Sequence, residues 1–123
     1  MTQEDKELLL KDLCARLPYG VKIELTWWVM DEGTCMSTTL EPDHIEQIRN
    51  DELGDVEIKP YLFPMSSMTE EQKEEYTNLN CYELGCFPRT EYALDYLIKN
   101  HFDYRYLIDN GLAIDATGLN IYD

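Results

Sequence analysis

The sequence predicts an α+β domain: an N-terminal helix, a small antiparallel curled sheet or partial SH3-like barrel, then C-terminal helices. Three observations carry this. Leu9, Leu13 and Leu17 recur at helical spacing; Val21 to Met30 alternates with period two; and Leu94, Leu97 and Ile98 return to a helical stripe. The handover falls in Ile58 to Tyr76, dividing one domain of 123 residues into a β-rich half, 1–64, and a helical half, 65–123.

In chain order, Thr2 with Asp5 three residues later marks a helix start, with Leu10 and Cys14 extending the apolar stripe opposite Glu4, Lys11 and Asp12. Pro18 disfavours helical backbone in the residue before it, so this helix stops near Leu17 and Tyr19-Gly20 turns the chain. Val21, Ile23, Leu25 and Trp27 alternate with Lys22, Glu24, Thr26 and Trp28 in the strongest strand of the chain. Asp31 to Thr34 is expected as the hairpin loop, with Gly33 at positive φ, and Cys35 to Leu40 as the returning strand. In Glu41 to Asn50 the signals conflict. Pro42 with Ile45 and Ile48 suits a helix, but the neighbourhood favours a short third strand or one irregular turn. Asn50 to Asp55 reads as an acidic loop, and Val56-Glu57-Ile58 as the last strand.

Pro60 and Pro64 lack an N–H and push Lys59 and Phe63 out of the helical region, so Lys59 to Pro64 is expected as an extended crossing with little ladder pairing. Two overlapping capping boxes follow, Ser67 with Glu70 and Thr69 with Gln72, and both place a helix start here, running to about Asn78. Asn80 to Pro88 reads as a loop. Thr90 caps the next helix, Asp103 a further turn ending at Gly111, and Leu112-Ala113-Ile114 suits an edge strand.

The charge bounds the partners. Ten basic against 25 acidic side chains give a net charge of −15, which opposes direct binding to nucleic acid or anionic membrane surfaces. No apolar run approaches a membrane span, and the charged start Met-Thr-Gln-Glu-Asp-Lys lacks a signal-peptide core. The expected location is cytoplasmic, with Cys14, Cys35, Cys81 and Cys86 as reduced thiols.

No catalytic constellation is visible. Cys81 and Cys86 form the one close cysteine pair, and zinc would need further ligands from Cys14, Cys35, His44 or His101, which are scattered. Neither histidine lies in a nucleophile motif, no phosphate loop or metalloprotease helix is present, and the 50–57 loop lacks EF-hand spacing. No cofactor is expected. His101-Phe102-Asp103-Tyr104-Arg105 reads as one helix ending and the next beginning. The apolar side chains Tyr61, Phe63 and Met65 of the crossing, with Trp28 of the hairpin, form the candidate surface for a protein partner, with Met68 beside them.

Three stretches carry a resemblance: Asp5 to Val21, with Leu13-Cys14-Ala15-Arg16-Leu17-Pro18-Tyr19-Gly20-Val21; Ile58 to Gln72; and His101 to Arg105 with Gly111-Leu112-Ala113. Together they resemble a family of small uncharacterised proteins from gut bacterial genomes, many in prophage-like or other mobile regions. The family implies a context without an established activity. The functional expectation is therefore a small non-catalytic protein-binding accessory module of a mobile element. The alternatives are an acidic nucleic-acid-mimicking decoy that occupies a basic DNA-binding protein, suggested by the charge, and, last, a small metal-binding protein or enzyme.

Overall fold

The structure, a computed structural model, describes residues 2–52, 54, 56–80 and 90–122. Helix α1 (Gln3–Arg16) starts as the sequence expects: the Asp5 N–H donates to Thr2 Oγ1 at 3.1 Å, and the Thr2 N–H donates to Asp5 Oδ2 at 3.5 Å. It gives way to a 3₁₀ turn at Leu17–Tyr19, with Gly20 at φ +68°. Two expectations for α1 are corrected. Asp12 lies on the buried side, fully enclosed, whereas Cys14 is exposed.

The next two strands, β1 (Lys22–Val29) and β2 (Glu32–Thr39), pair antiparallel from Lys22 opposite Thr39 to Val29 opposite Glu32. The connection is thus the two residues Met30-Asp31, at φ +50° and +69°, rather than a loop from Asp31 to Thr34. Positive φ at both central residues is the primed geometry that matches strand twist, and here it is met without glycine. Gly33 does other work. A Cβ there would stand 2.8 Å from the Trp28 ring, which lies across it. Each left-handed non-glycine residue costs about 1–2 kcal/mol. The double change Met30→Asn and Asp31→Gly is therefore expected to stabilise the fold by about 1 kcal/mol, read as a higher urea midpoint with an unchanged slope; no rise would contradict this turn geometry.

Residues 41–50, expected as strand or irregular turn, form helix α2 (Pro42–Arg49). Pro42 occupies the first turn, where its missing N–H is not needed. The Glu41 N–H donates to His44 Nδ1 at 3.0 Å, so a histidine takes the role usually filled by Glu or Gln in a capping box. Ile45 and Ile48 are buried, and that burial settles the conflict in favour of the helical period.

The crossing is also corrected. Glu57–Pro64 forms β3, a strand that pairs with three others. It pairs antiparallel with β1 over Glu57–Pro60, and parallel with two short strands, β4 (Phe102–Asp103) and β5 (Ile114–Asp115). The Phe63 N–H donates to the His101 carbonyl at 2.8 Å, and the Leu62 carbonyl accepts from the Ala116 N–H at 2.8 Å. Successive residues of a strand turn their main-chain groups to opposite edges, so β4 and β5 flank the end of β3. By the same alternation Pro60 and Pro64 face the β5 edge, where the ladder covers only Tyr61 and Leu62. Each missing N–H falls outside it, which is how two prolines sit in one strand.

The sheet is therefore mixed and open rather than purely antiparallel or closed, in the order β2-β1-β3-β4 with β5 also on β3. After a 3₁₀ turn at Met65–Ser67, α3 (Glu70–Asn80) uses the second of the two capping boxes: the Gln72 N–H donates to Thr69 Oγ1 and the Thr69 N–H to Gln72 Oε1. Ser67 instead donates to the Pro64 carbonyl at 2.6 Å. Helix α4 (Thr90–Lys99) buries Ala93, Leu97 and Ile98 and leaves Leu94 exposed. The main core joins Leu9, Leu13, Val21, Ile23, Ile45, Ile48, Ile58, Leu62 and Leu107; a second cluster gathers Met68, Leu97 and Phe102 with Phe63, Met65, Tyr76, Tyr96 and Tyr104. No helix among the described residues is long and apolar enough to cross a membrane.

Candidate functional site

Two places hold chemistry that packing alone does not explain: the open side of the hairpin, and a buried charged centre between α1 and β4.

β3 pairs with β1 only between Ile23 and Thr26, so the hairpin runs on beyond the three-stranded part of the sheet. Strand β2 is its outer member, and Glu32 to Ser37 are exposed on both faces. Val29 and Glu32 flank a two-residue turn and exchange both main-chain bonds, so the alternation along β2 turns the N–H and C=O groups of Gly33, Cys35, Ser37 and Thr39 to the outer edge, which among the described residues no strand covers. The bond from the Leu40 N–H to the Val21 carbonyl keeps that parity to the strand's end. Natural edges are blunted by lysine, proline or a bulge; Gly33 to Leu40 has no charge and no proline, and its pairing to β1 is unbroken. Apolar side chains stand around this edge: Trp28 is 58% exposed, Met30 94% and Met36 49%.

The two faces of the hairpin differ. On one, Tyr61 Oη donates to Glu24 Oε2 at 2.8 Å and lies 3.1 Å from Ser37 Oγ, while Thr26 Oγ1 donates to Glu24 Oε1 at 2.9 Å. This cross-strand polar row is closed on itself. On the other, a groove of about 490 Å³ runs between the hairpin and α2. Leu25, Trp27 and Val56 contribute apolar lining and Glu41, Asp43 and Glu52 contribute carboxylates, with His44 and Gln47 alongside.

The buried centre begins on α1. Asp12 and Arg16, one turn apart and both fully buried, meet at 2.7 Å, and Arg16 also donates to the Phe102 carbonyl at 2.6 Å. Arg105 approaches Asp12 at 3.9 Å, and both guanidinium groups lie against the Tyr104 ring, at 5.6 and 4.9 Å from its centroid. The Asp103 carboxylate accepts from the Leu107 and Ile108 N–H groups, fixing the turn that carries Arg105. Burial raises the Asp12 carboxyl above its ordinary value, against the lowering pull of Arg16 and Arg105. This is the geometry of a clamp that fastens α1 to β4.

Beside it the His101 ring, at positive φ after α4, stacks on Tyr122 at 3.9 Å between centroids. Tyr122 Oη accepts from the Lys22 N–H and donates to the Tyr61 carbonyl. Burial, aided by Arg16, lowers His101 from 6.5 to about 4, and burial pushes Tyr122 up to about 12. The histidine's sign follows from linkage: above 6.5 the ring is neutral folded or unfolded, and its contribution is complete. Between 6.5 and about 4 the unfolded chain takes a proton that the folded chain refuses, so stability is lost as pH falls. Urea titrations at pH 7, 5.5 and 4.5 are expected to show His101→Gln losing less stability over this window than the parent; equal losses would contradict the buried neutral ring.

Of the surface expected from the sequence, only Trp28 is open. Tyr61 is 5% exposed, and Phe63 and Met65 pack in the second cluster, Phe63 against Phe102 and Tyr122. The crossing became a flanked strand, so the exposed apolar surface lies on the hairpin instead. Met30, Met36 and the groove between the hairpin and α2 were missed; for Met36 the signal was its place in the uncharged run from Gly33 to Leu40. Cys81 and Cys86 lie outside the described residues, Cys14 and Cys35 are exposed, and no group of three metal-ligating side chains forms among the described residues. Comparison of the chain with protein-family models, curated proteins and solved structures finds no match.

Proposed function

We propose that this chain is a small non-catalytic protein-binding module that takes an extended segment of a partner onto the free edge of β2. The observation that carries this reading is the unbroken, uncharged edge at Gly33, Cys35, Ser37 and Thr39, rimmed by Trp28, Met30 and Met36. Strand addition draws affinity from main-chain hydrogen bonds and specificity from alternate side chains, and this edge offers both. The test is amide hydrogen exchange by NMR with peptides selected on the protein from a displayed random library. Slowed exchange at alternate residues 33, 35, 37 and 39 is expected; tight binding that leaves those four amides unchanged would overturn the reading.

A further inference from the structure

Resting on that reading, we infer that the segment added to β2 is basic, and that one of its Lys or Arg side chains lies across Met36 into the groove between the hairpin and α2. Three features of the hairpin and groove converge on this occupant. Met36 sits opposite Leu25, on the same face as Trp27, so the inward side chains of an added strand would run over Met36 toward the groove. Two strand spacings, about 10 Å, separate an added strand from β1, a span that calls for a long side chain. The hairpin side of the groove offers Leu25 and the Trp27 indole, and Glu41, Asp43 and Glu52, at and after the ends of α2, bring carboxylates to the same lining. An aliphatic stem over Met36 and Leu25 with a cationic head between Trp27 and the carboxylates meets each surface with its complement. A neutral or acidic segment would leave those carboxylates facing apolar or like-charged groups. The chain's charge of −15 favours the same choice at longer range.

The experiment uses the full chain and a random dodecapeptide phage library, with the enriched peptides then synthesised. Enriched sequences are expected to alternate β-branched residues with one recurring Lys or Arg. Replacing an enriched arginine by citrulline, equal in shape and uncharged, should weaken binding at least tenfold, as should Glu41→Gln, Asp43→Asn and Glu52→Gln combined. Cys35→Pro, which removes an outward N–H, should abolish binding. Slowed exchange of the four edge amides in the unaltered chain gives the same answer independently, should the proline variant misfold. Peptides that protect the edge but carry no recurring basic residue, or ignore the triple change, overturn the basic occupant and leave strand addition standing. Basic peptides that leave the edge amides unprotected overturn both readings in favour of general attraction to an acidic surface. A library that yields no binder also overturns both.

Discussion

Replacing Arg16 by Met is expected to cost about 3–5 kcal/mol, the range seen when one partner of a buried ion pair is removed and the other is left enclosed. Asp12 is fully buried and holds Arg16 at 2.7 Å; its other cation, Arg105, is 3.9 Å away. The variant would also leave the Phe102 carbonyl without its charged donor. Two measurements separate this account from simple loss of packing. First, the double variant Asp12→Leu, Arg16→Met should recover most of the loss, since an apolar pair of similar volume avoids the buried charge. Second, the defect of the single variant should shrink in acid. Burial already raises Asp12, and without Arg16 a larger rise follows. A raised folded-state carboxyl contributes stability that is complete below its unfolded value near 3.8 and is lost as pH climbs through the folded value. A pH-independent defect, or a double variant worse than the single, would contradict the clamp.

The second large effect is expected at Phe102. Its ring is 2% exposed, lies 6.2 Å from Phe63, and joins Met68 and Leu97 in the smaller core. Truncation to alanine removes a whole ring from a cluster with few members, at a cost of about 3–5 kcal/mol. Because this cluster is separate from the one under β1, the damage should be uneven. Native-state amide exchange is expected to quicken in α4 well before it quickens in α1 and β1. Uniform quickening across the chain would show that the two clusters unfold as one unit.

Where local chemistry decides, the chain was legible. The Thr2 and Thr69 caps, the halt before Pro18 and the alternation of β1 are each written in neighbouring residues. Where partners distant in sequence decide, it was not. Pro60 and Pro64 argue locally against a paired strand, and only the positions of β4 and β5 make their missing N–H groups harmless. Asp12 and Arg16 look like solvated charges one turn apart until Phe102 and Arg105 arrive from the far end of the chain. The crossing residues of the candidate surface turn inward for the same reason: Tyr61 and Phe63 are apolar enough to be exposed anchors or core, and long-range pairing buries Tyr61 and packs a half-buried Phe63 against the second cluster.

The two prolines of β3 also bear on how the chain survives its own synthesis. Residues 57–64 are rich in apolar side chains, yet the flanks of that strand, β4 and β5, are translated well after it. At about 5–20 residues per second the wait is of the order of seconds, long enough for a nascent apolar strand to pair with another chain. A stacking neighbour would need N–H groups at Pro60 and Pro64 that do not exist. The missing N–H groups that the finished sheet tolerates thus deprive a second chain of two donors it would need to pair along that edge of β3.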